Sequence, residues 1–392
     1  MVAGDTGTAS VICWKARRVA ASDVRYSSPY NPASAATGST SRRASSRFGT
    51  CVRAEQSTDR ALKPSRRFEI HIDDNQRRSS RGRSLSTLPP AAARLGEIDS
   101  EPPYELIRDG LASGKVIPFL GSGVSLGSRS REQHWTSPTA NFLPNAAELA
   151  EYLDRRSGYP SGAPSDLTRV AQYFDGVAGR GGLDDELHAV FSKAYTPTPI
   201  HYHLAEQPNL LIVTTNYDDL QEQAFREKKR PFHVVTYRTG IPTFLFKEHD
   251  SAQSREVHAN EMSLPVGDIP IVYKMHGACD PANNEHDSYV ITEDDYVDFL
   301  SRMTSQTAIP AVFAEPFRRS HFLFLGYGLR DWNLRVVLHK IWQNWPRRRY
   351  ASWAIQHRAE RLEREFWSRR LLTIYELTLD HFLERLQQPA AT

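Results

Sequence analysis

The fold is decided by one short stretch, Val116-Ile117-Pro118-Phe119-Leu120-Gly121-Ser122-Gly123-Val124-Ser125. Its five apolar residues are typical of a strand that is buried on both faces of a parallel sheet. The Gly-Ser-Gly that follows lets the backbone turn sharply and approach a phosphate group closely, with Ser122 and Ser125 as hydroxyl donors. Taken alone, such a turn after a strand is more often only a turn. It matches neither GxGxxG nor GxxxxGK[ST], which excludes the ordinary dehydrogenase and P-loop signatures.

Further apolar runs alternate with helical patterns on the carboxyl side of this stretch. Strands are predicted at Leu210–Thr214, Phe232–Tyr237, Ile269–Met275, His321–Leu325, Ser352–Ile355 and Leu371–Tyr375. Thr239–Asp268 carries no clear period and is predicted to be irregular. Helices are predicted around residues 145–156, 167–177, 183–194 and 199–206, so a helical insert occupies about residues 127–206. The pattern predicts an α/β fold with a doubly wound, mostly parallel, Rossmann-like sheet. Ligands of such sheets bind at the carboxyl ends of the strands.

Three more motifs follow predicted strands directly. The first, Thr214-Thr215-Asn216-Tyr217-Asp218, places an amide and a carboxylate at the mouth of the sheet, although helix capping explains either residue by itself. The second, Lys274-Met275-His276-Gly277, ends in a histidine suited to proton transfer near neutral pH or to a structural, hydrogen-bonded role.

The third motif is Phe324-Leu325-Gly326-Tyr327-Gly328-Leu329-Arg330-Asp331-Trp332-Asn333. Its glycines admit a ligand close to the backbone. Asp331 and Asn333 stand where they would either cap a helix or bind a ribose, and capping is the stronger alternative for Asp331.

Composition and charge narrow the class of protein. The chain has 392 residues, 40% of them hydrophobic and 24% charged, and it lacks an apolar run near the ~18 residues of a membrane helix. Residues 1–99 hold 17 Lys and Arg against 9 Asp and Glu, which gives this segment a net charge of +8. The whole chain has a net charge of +3, so the remaining residues carry −5. We therefore expect no direct binding of nucleic acid by the folded part. The start shows no secretory signal, and three distant cysteines form no disulfide framework, so a cytoplasmic location is expected.

Residues 1–99 are rich in Ser and Arg and show no sustained period. We predict a disordered basic segment, because it cannot bury enough apolar surface to offset its chain entropy. An early start codon and an organelle-targeting peptide are the alternatives. Structure is expected from about residue 100 to the end.

Together the four motifs resemble those of the sirtuin family, in the same order and at similar strand ends. The likeness is closest to the divergent prokaryotic branch found in antiviral defence, and it covers about Pro102–Tyr375. Gly121–Ser125 resembles the family's Gly-Ala-Gly-x-Ser turn, with Ser122 in place of Ala. Asn216 and Asp218 match its Thr-Gln-Asn-Ile-Asp motif, and His276-Gly277 matches its His-Gly. Gly326–Asn333 is similar to the Gly-Tyr-Ser-Leu-x-Asp-x-Asn segment of the defence branch.

Two features depart from the deacylating sirtuins. Only Cys279 lies in the predicted folded region, so the family's four-cysteine zinc module is absent, and no zinc or other metal is expected. The histidines of His201-Tyr202-His203 are not expected to bind a metal either, because they are predicted to lie in a helix, where side chains two positions apart diverge. The family's Gly-Ile-Pro-Asp-Phe-Arg loop is also missing. The missing zinc module and the missing loop both weaken a deacylase interpretation, and they leave the NAD pocket in place.

The resemblance implies a domain at residues 100–392 that binds NAD as a substrate and cleaves it to nicotinamide and ADP-ribose. Asn216 and His276 would be catalytic. The NAD-binding residues would be Gly121, Ser122, Gly123, Ser125, Asp218, Gly326, Tyr327, Asp331 and Asn333. Protein deacylation or ADP-ribosyl transfer is one alternative, and a non-catalytic sensor of NAD or ADP-ribose is another.

The resemblance also implies a biological setting. The chain would deplete NAD in an anti-phage defence system and would act as a homo-oligomer. Defence relatives have HerA-type ATPases or Argonaute-like proteins as partners, and no membrane partner is expected.

Overall fold

A computed structural model describes residues 101–388 apart from residues 128, 131, 161–165, 252, 265, 306, 330–331 and 344–349. The predicted disordered segment at residues 1–99 lies outside this range. The helices are α1 (Tyr104–Ala112), α2 (Ala146–Ser157), α3 (Leu167–Phe191), α4 (Pro199–Glu206), α5 (Leu220–Glu227), α6 (Glu293–Thr304), α7 (Ala314–Arg319), α8 (Trp332–Gln343), α9 (Arg361–Ser368) and α10 (Leu379–Gln387). The strands are β1 (Val116–Leu120), β2 (Leu211–Thr214), β3 (His233–Tyr237), β4 (Thr243–Lys247), β5 (Ser254–His258), β6 (Ile271–Lys274), β7 (Gly277–Ala278), β8 (Ser288–Tyr289), β9 (His321–Leu325), β10 (Ser352–Gln356) and β11 (Leu372–Glu376).

Within the described residues, nine strands form one sheet in the order β11-β10-β9-β1-β2-β6-β3-β4-β5. The seven strands from β11 to β3 run parallel to their neighbours, and β4 and β5 add two antiparallel pairings at one edge. The short strands β7 and β8 pair separately. This architecture confirms the predicted α/β fold with a mostly parallel sheet.

The centre of the sheet is a topological switch point. Strand β1 pairs with β2 on one side and with β9 on the other. The chain first builds the β2 side and then returns across β1 to build β9, β10 and β11 outward. Loops that leave neighbouring strands in opposite directions open a crevice at their carboxyl ends, and ligands bind there. The crevice is therefore expected beside Leu120 and Leu325, the last residues of β1 and β9.

The prediction of an irregular segment at Thr239–Asp268 is wrong, because β4 and β5 form an antiparallel hairpin there with Phe244 opposite Val257. The strand pattern is weak for a physical reason. Strand β5 lies at the edge of the sheet, and Val257 is its one buried residue, so its sequence shows no apolar run. Charged residues on an edge strand also discourage pairing with other chains.

Apolar residues cover both faces of the sheet, as parallel strands require. Phe119 and Phe324 belong to a cluster on one face, and the adjacent Leu120 and Leu325 belong to a cluster on the other. Alternate residues of a strand point to opposite faces, so each strand supplies both clusters. A third cluster joins α2 and α3 to residues that follow β2 and flank β8.

The insert helices begin at capped residues. Asn145 accepts from the Glu148 N–H at 2.9 Å in a capping box, and Asp166 caps α3 by accepting from the Arg169 N–H at 3.2 Å. Where the sequence predicts two helices, α3 is one helical run with a kink at Gly179. No helix in the part of the chain that the structure describes has the length and apolar character needed to cross a membrane.

Candidate functional site

Two glycine turns meet at the carboxyl ends of β1 and β9. The Gly121 N–H donates to the Leu325 carbonyl, and the Gly123 N–H donates to the Gly326 carbonyl, each at 3.0 Å. A Cβ on Gly123 would lie 2.7 Å from the Gly326 Cα, and one on Gly326, where φ is +69°, would lie 2.4 Å from the Val124 nitrogen. Glycine is required here for close packing of two backbones. The Gly121 and Gly123 N–H groups are used within the protein.

The two serines of the first turn have different surroundings. Ser122 is exposed at the rim of a cavity, and its hydroxyl has no hydrogen-bond partner among the described residues. Ser125 instead donates from Oγ to Asp218 Oδ2 at 2.9 Å and accepts from Asn216 Nδ2 at 3.1 Å. Ser122 therefore offers a hydroxyl to a ligand, whereas Ser125 holds an amide and a carboxylate in position.

Asn216 follows β2 and is buried beside the first glycine turn. Its backbone N–H donates to Thr214 Oγ1 at 3.0 Å. Its side-chain Nδ2 donates to the Gly121 carbonyl at 3.0 Å and to Ser125 Oγ at 3.1 Å. Both amide hydrogens are thus used, and no described residue donates to the side-chain oxygen Oδ1. That oxygen is the group that Asn216 can offer to water or to a hydroxyl.

Asp218 lies two residues after Asn216 and is also buried, next to a buried ion pair. Its Oδ1 accepts from the Leu220 N–H at 3.2 Å, and its backbone carbonyl accepts from Lys274 Nζ. Lys274 also pairs with Glu222, with 3.3 Å between Nζ and Oε1, and both side chains are almost fully buried. Burial raises the pKa of Asp218, and the nearby Lys274 ammonium opposes that shift. The ion pair therefore anchors the backbone that carries Asp218.

His276 follows β6 and is enclosed by two aromatic rings, Tyr296 at 5.5 Å and Phe299 at 5.2 Å between ring centroids. The next residue, Gly277, has φ +86°, and a Cβ there would lie 2.0 Å from the Ser288 carbonyl oxygen. Only glycine allows this approach, which opens the β7–β8 hairpin directly after the histidine.

Burial sets the protonation state of His276. It lowers the pKa of the imidazole to about 4, because the charged form loses its hydration. The ring is therefore neutral at neutral pH. Neutrality is the state in which a histidine can accept a proton as a general base.

A cavity of about 330 Å³ collects most of the predicted site residues. Its lining includes Gly121, Ser122, Ser125, Asn216, Asp218, His276, Gly326 and Tyr327. Leu143 and Pro144, from the loop before α2, close the cavity on the insert side. The volume falls in the usual range of small-molecule sites.

A second cavity of about 540 Å³ lies beside the first. The two share Gly326, Tyr327 and Gly328, and Gly123 lines the second. Residues that follow β10 and β11 also line it, among them His357 and Thr378. The two cavities together offer a longer binding surface than either one alone.

The motif after β9 is described only in part. Tyr327 lines both cavities, and its hydroxyl lies 2.9 Å from Thr215 Oγ1. Asp331 lies outside the described residues. Asn333 falls in α8, and its side chain also lies outside the described part of the structure. Their assignment as NAD-binding residues stays a prediction.

Sequence reasoning missed the aromatic enclosure of His276 and the buried ion pair below Asp218. Tyr296 and Phe299 belong to α6, and no local pattern indicates which strand end that helix covers. Lys274 gives a local signal, because a lysine inside a buried apolar strand needs a partner.

His201 has a structural role. It is buried in α4, where its Nδ1 accepts from the Thr198 N–H at 3.1 Å and lies 2.9 Å from the Thr198 hydroxyl. Burial lowers its pKa to about 3, so the ring is neutral.

Residues 210–375 match the family described as SIR2-like domain. This range contains the segments with Asn216, His276 and Gly326, and it begins after the first glycine turn at Gly121.

Curated proteins are also similar to parts of this chain. The chain is 28% identical to the NAD(+) hydrolase ThsA of Acinetobacter baumannii (strain 532279) over 53% of this chain and 38% of the relative. It is 26% identical to the NAD(+) hydrolase ThsA of Bacillus cereus (strain MSX-D12), over 56% of this chain and 42% of that protein. It is 24% identical to the Defense-associated sirtuin 2 of Bacillus subtilis, over 62% of this chain and 20% of that protein. The chain thus spans less than half the length of these relatives. Residues 210–375 are thus similar to SIR2-like domains, and the chain is similar to proteins named NAD(+) hydrolase ThsA and Defense-associated sirtuin 2.

Proposed function

We propose that this chain hydrolyses NAD at the nicotinamide–ribose bond and acts as the NAD-depleting effector of an anti-phage defence system. One observation carries the proposal. A single cavity at the switch point of the sheet is lined by Asn216, to whose Oδ1 no described residue donates, and by His276, which is neutral. The relatives named NAD(+) hydrolase support the choice of substrate and reaction.

The protein need not supply an acid catalyst for this reaction. The nicotinamide–ribose bond breaks through an oxocarbenium-like state, and the leaving group is already cationic before cleavage, so it needs no proton. Nicotinamide departs with the bonding electron pair. A water oxygen then bonds to the anomeric carbon, and the water gives up one proton. The protein must therefore position water, accept that proton and stabilise the ribosyl cation.

His276 is the proposed acceptor of that proton, directly or through a ribose hydroxyl. Its enclosure by Tyr296 and Phe299 keeps the ring neutral and limits the orientations it can adopt. A pKa of about 4 makes free imidazole here a weak base. The water proton becomes acidic as the water oxygen bonds to the anomeric carbon, so proton transfer to His276 is expected as that bond forms.

Asn216 is the proposed residue that orients the water or a ribose hydroxyl. Hydrogen bonds to Gly121 and Ser125 already fix its amide group. Positioning Oδ1 for the reaction therefore costs no further side-chain entropy. The oxygen is also a neutral acceptor, which suits a position close to a developing cation.

The rest of the dinucleotide is proposed to cross the two glycine turns. The first cavity would take the nicotinamide ribose, with Asp218 near the carboxamide, and the second would take the adenosine half. Gly326, Tyr327 and Gly328 line both cavities, so the pyrophosphate would lie over these residues and near the exposed Ser122 hydroxyl.

The test is direct. Pure full-length protein is mixed with NAD, alone and with the proteins encoded beside its gene, and released nicotinamide is measured by chromatography. Nicotinamide and ADP-ribose in equal amounts are the expected result. An acylated peptide is added in a parallel sample. Peptide-dependent nicotinamide release with loss of the acyl group would assign the chain to the deacylases. NAD binding without any release would assign it a sensor role.

A further inference from the structure

Three potential metal ligands from separate segments meet outside the proposed NAD cavity. His188 lies near the end of α3, Cys279 follows β7, and Asp287 precedes β8. The His188 Nδ1 lies 2.8 Å from Asp287 Oδ2 and 3.6 Å from Cys279 Sγ. All three ligand atoms lie within 4.8 Å of one another.

We propose that His188, Cys279 and Asp287 bind a divalent transition metal ion, with Zn²⁺ as the best match. Nitrogen, sulfur and oxygen donors are the usual ligands of zinc, and a three-residue site leaves the fourth tetrahedral position to water. The proposal departs from the expectation of no zinc. That expectation rested on the missing four-cysteine module, whereas these ligands come together only through folding.

The geometry around His188 favours a shared ion over a hydrogen-bond relay. A thiol and a carboxylate both face one ring nitrogen, Nδ1. One nitrogen carries either one proton or one lone pair, so it can serve only one of the two neighbours well. A relay of the nucleophile-activating kind would need its two partners on different ring nitrogens. A metal ion instead satisfies all three groups from one point.

The surroundings hold the ligands in place. Asp287 accepts from the Tyr289 hydroxyl at its Oδ2 and from the Asp280 N–H at its Oδ1, each at 2.7 Å. The Cys279 N–H donates to the Tyr217 carbonyl at 2.9 Å. Such outer hydrogen bonds orient the ligands of metal sites.

Access and charge also fit. The His188 side chain is 29% exposed and the Asp287 side chain 5%, so the cluster is closed on one side and open to solvent on the other. On binding, the thiol proton is released to solvent, and the resulting thiolate and carboxylate balance the two positive charges of the ion. The bound ion would link α3 to the hairpin that begins directly after His276.

Cobalt(II) is the probe, because its bond to a thiolate gives an intense charge-transfer band in the near ultraviolet. Full-length protein is treated with a chelator and titrated with Co²⁺ and then Zn²⁺. We expect a thiolate band that saturates at one Co²⁺ per chain and disappears when Zn²⁺ displaces it. We also expect Zn²⁺ to raise the melting temperature, because an ion that binds the native state stabilises it.

Variants identify the ligands. Cys279→Ser should lose the band entirely, and His188→Gln should bind at least tenfold more weakly. Tyr289→Phe, which removes a hydroxyl that hydrogen-bonds both Asp287 and the Cys279 thiol, should weaken binding about 10–100-fold. His286→Gln changes a neighbouring histidine that pairs with Asp280, and it should bind as the wild type does. A wild-type protein without a thiolate band, or a Cys279→Ser protein that keeps it, would overturn the proposal. The wild-type titration decides the matter even if a variant fails to fold.

Discussion

The side-chain amide of Asn216 donates a hydrogen bond of 3.1 Å to Oγ of Ser125, a residue 91 positions earlier in the chain. Ser125 in turn donates to Asp218. This chain of bonds joins the loop after β2 to the turn after β1, at the switch point of the sheet. The two loops thus hold the amide of Asn216 in one orientation before any ligand arrives.

The first prediction concerns Asn216. We expect Asn216→Ala to fold and to bind NAD, yet to release nicotinamide at least ~100-fold more slowly, since loss of a positioning or acid–base group has about this effect. The measurement is initial rates at saturating NAD, with folding checked by circular dichroism. Asn284→Ala, at an exposed position, is the matched control and should keep wild-type rates. Wild-type turnover in a folded Asn216→Ala protein would remove the residue from the mechanism.

The second prediction concerns Gly326, where left-handed backbone and close packing coincide. Gly326→Ala should destabilise the fold by about 3–5 kcal/mol, because the strain of positive φ adds to a backbone contact that cannot relax. Gly158→Ala is the matched control. Gly158 also has positive φ, but a Cβ there would meet nothing within 4 Å, so a loss of only about 1–2 kcal/mol is expected. Urea unfolding of both variants measures the difference, and equal losses would show that the two turns are not held in contact.

The third prediction concerns pH. Since the pKa of His276 falls to about 4 in the folded protein, the unfolded chain takes up the proton first as the pH falls below about 6.5. The folded state is thereby destabilised between about pH 6.5 and pH 4. At pH 5 this one histidine should cost about 2 kcal/mol relative to pH 8.

The matched comparison is His276→Gln, which cancels the titration of all other groups. Free energies of unfolding are measured for both proteins at pH 8 and pH 5. The wild type should lose about 2 kcal/mol more than the variant over this interval. Equal losses would mean that the ring is not held neutral in the folded protein.

The fourth prediction concerns residues 1–95. Deleting them should leave folding and NAD cleavage intact, because their composition has no core-forming pattern. The cut leaves Glu101 in place, whose carboxylate binds Arg385 at 2.8 Å. Thermal melts and nicotinamide release of the shortened protein provide the test. Aggregation, or a much lower melting temperature, would show that the segment docks on the folded part.

Much of the sheet could be predicted because its strands are short apolar runs that end at glycine or polar motifs. Strands β1 and β9 were predicted with the boundaries that the structure shows. The hairpin of β4 and β5 was missed because an edge strand with one buried residue has no such run. A local apolar pattern reflects which residues are buried, and few residues of an edge strand are buried.

The sequence could predict the site only for motifs that directly follow strands, because the ends of parallel strands lie at one edge of the sheet. The sequence places Asn216 and His276 at such ends, and the structure brings both to one cavity. The bond partners of Ser125, the pairing of Lys274 with Glu222, and the meeting of His188 with Cys279 depend on how distant segments pack. No spacing within a single segment encodes those contacts.

The central claim is that His276 is the base of an NAD-cleaving site, and the most direct measurement combines NAD-induced thermal shift with nicotinamide release on one preparation of His276→Ala. If His276 is the base, NAD should still raise the melting temperature of the variant while nicotinamide release is lost, because binding to the native state stabilises it by mass action. His258→Ala, on the exposed face of β5, is the control and should retain both properties. A His276→Ala protein that hydrolyses NAD at the wild-type rate would contradict the account.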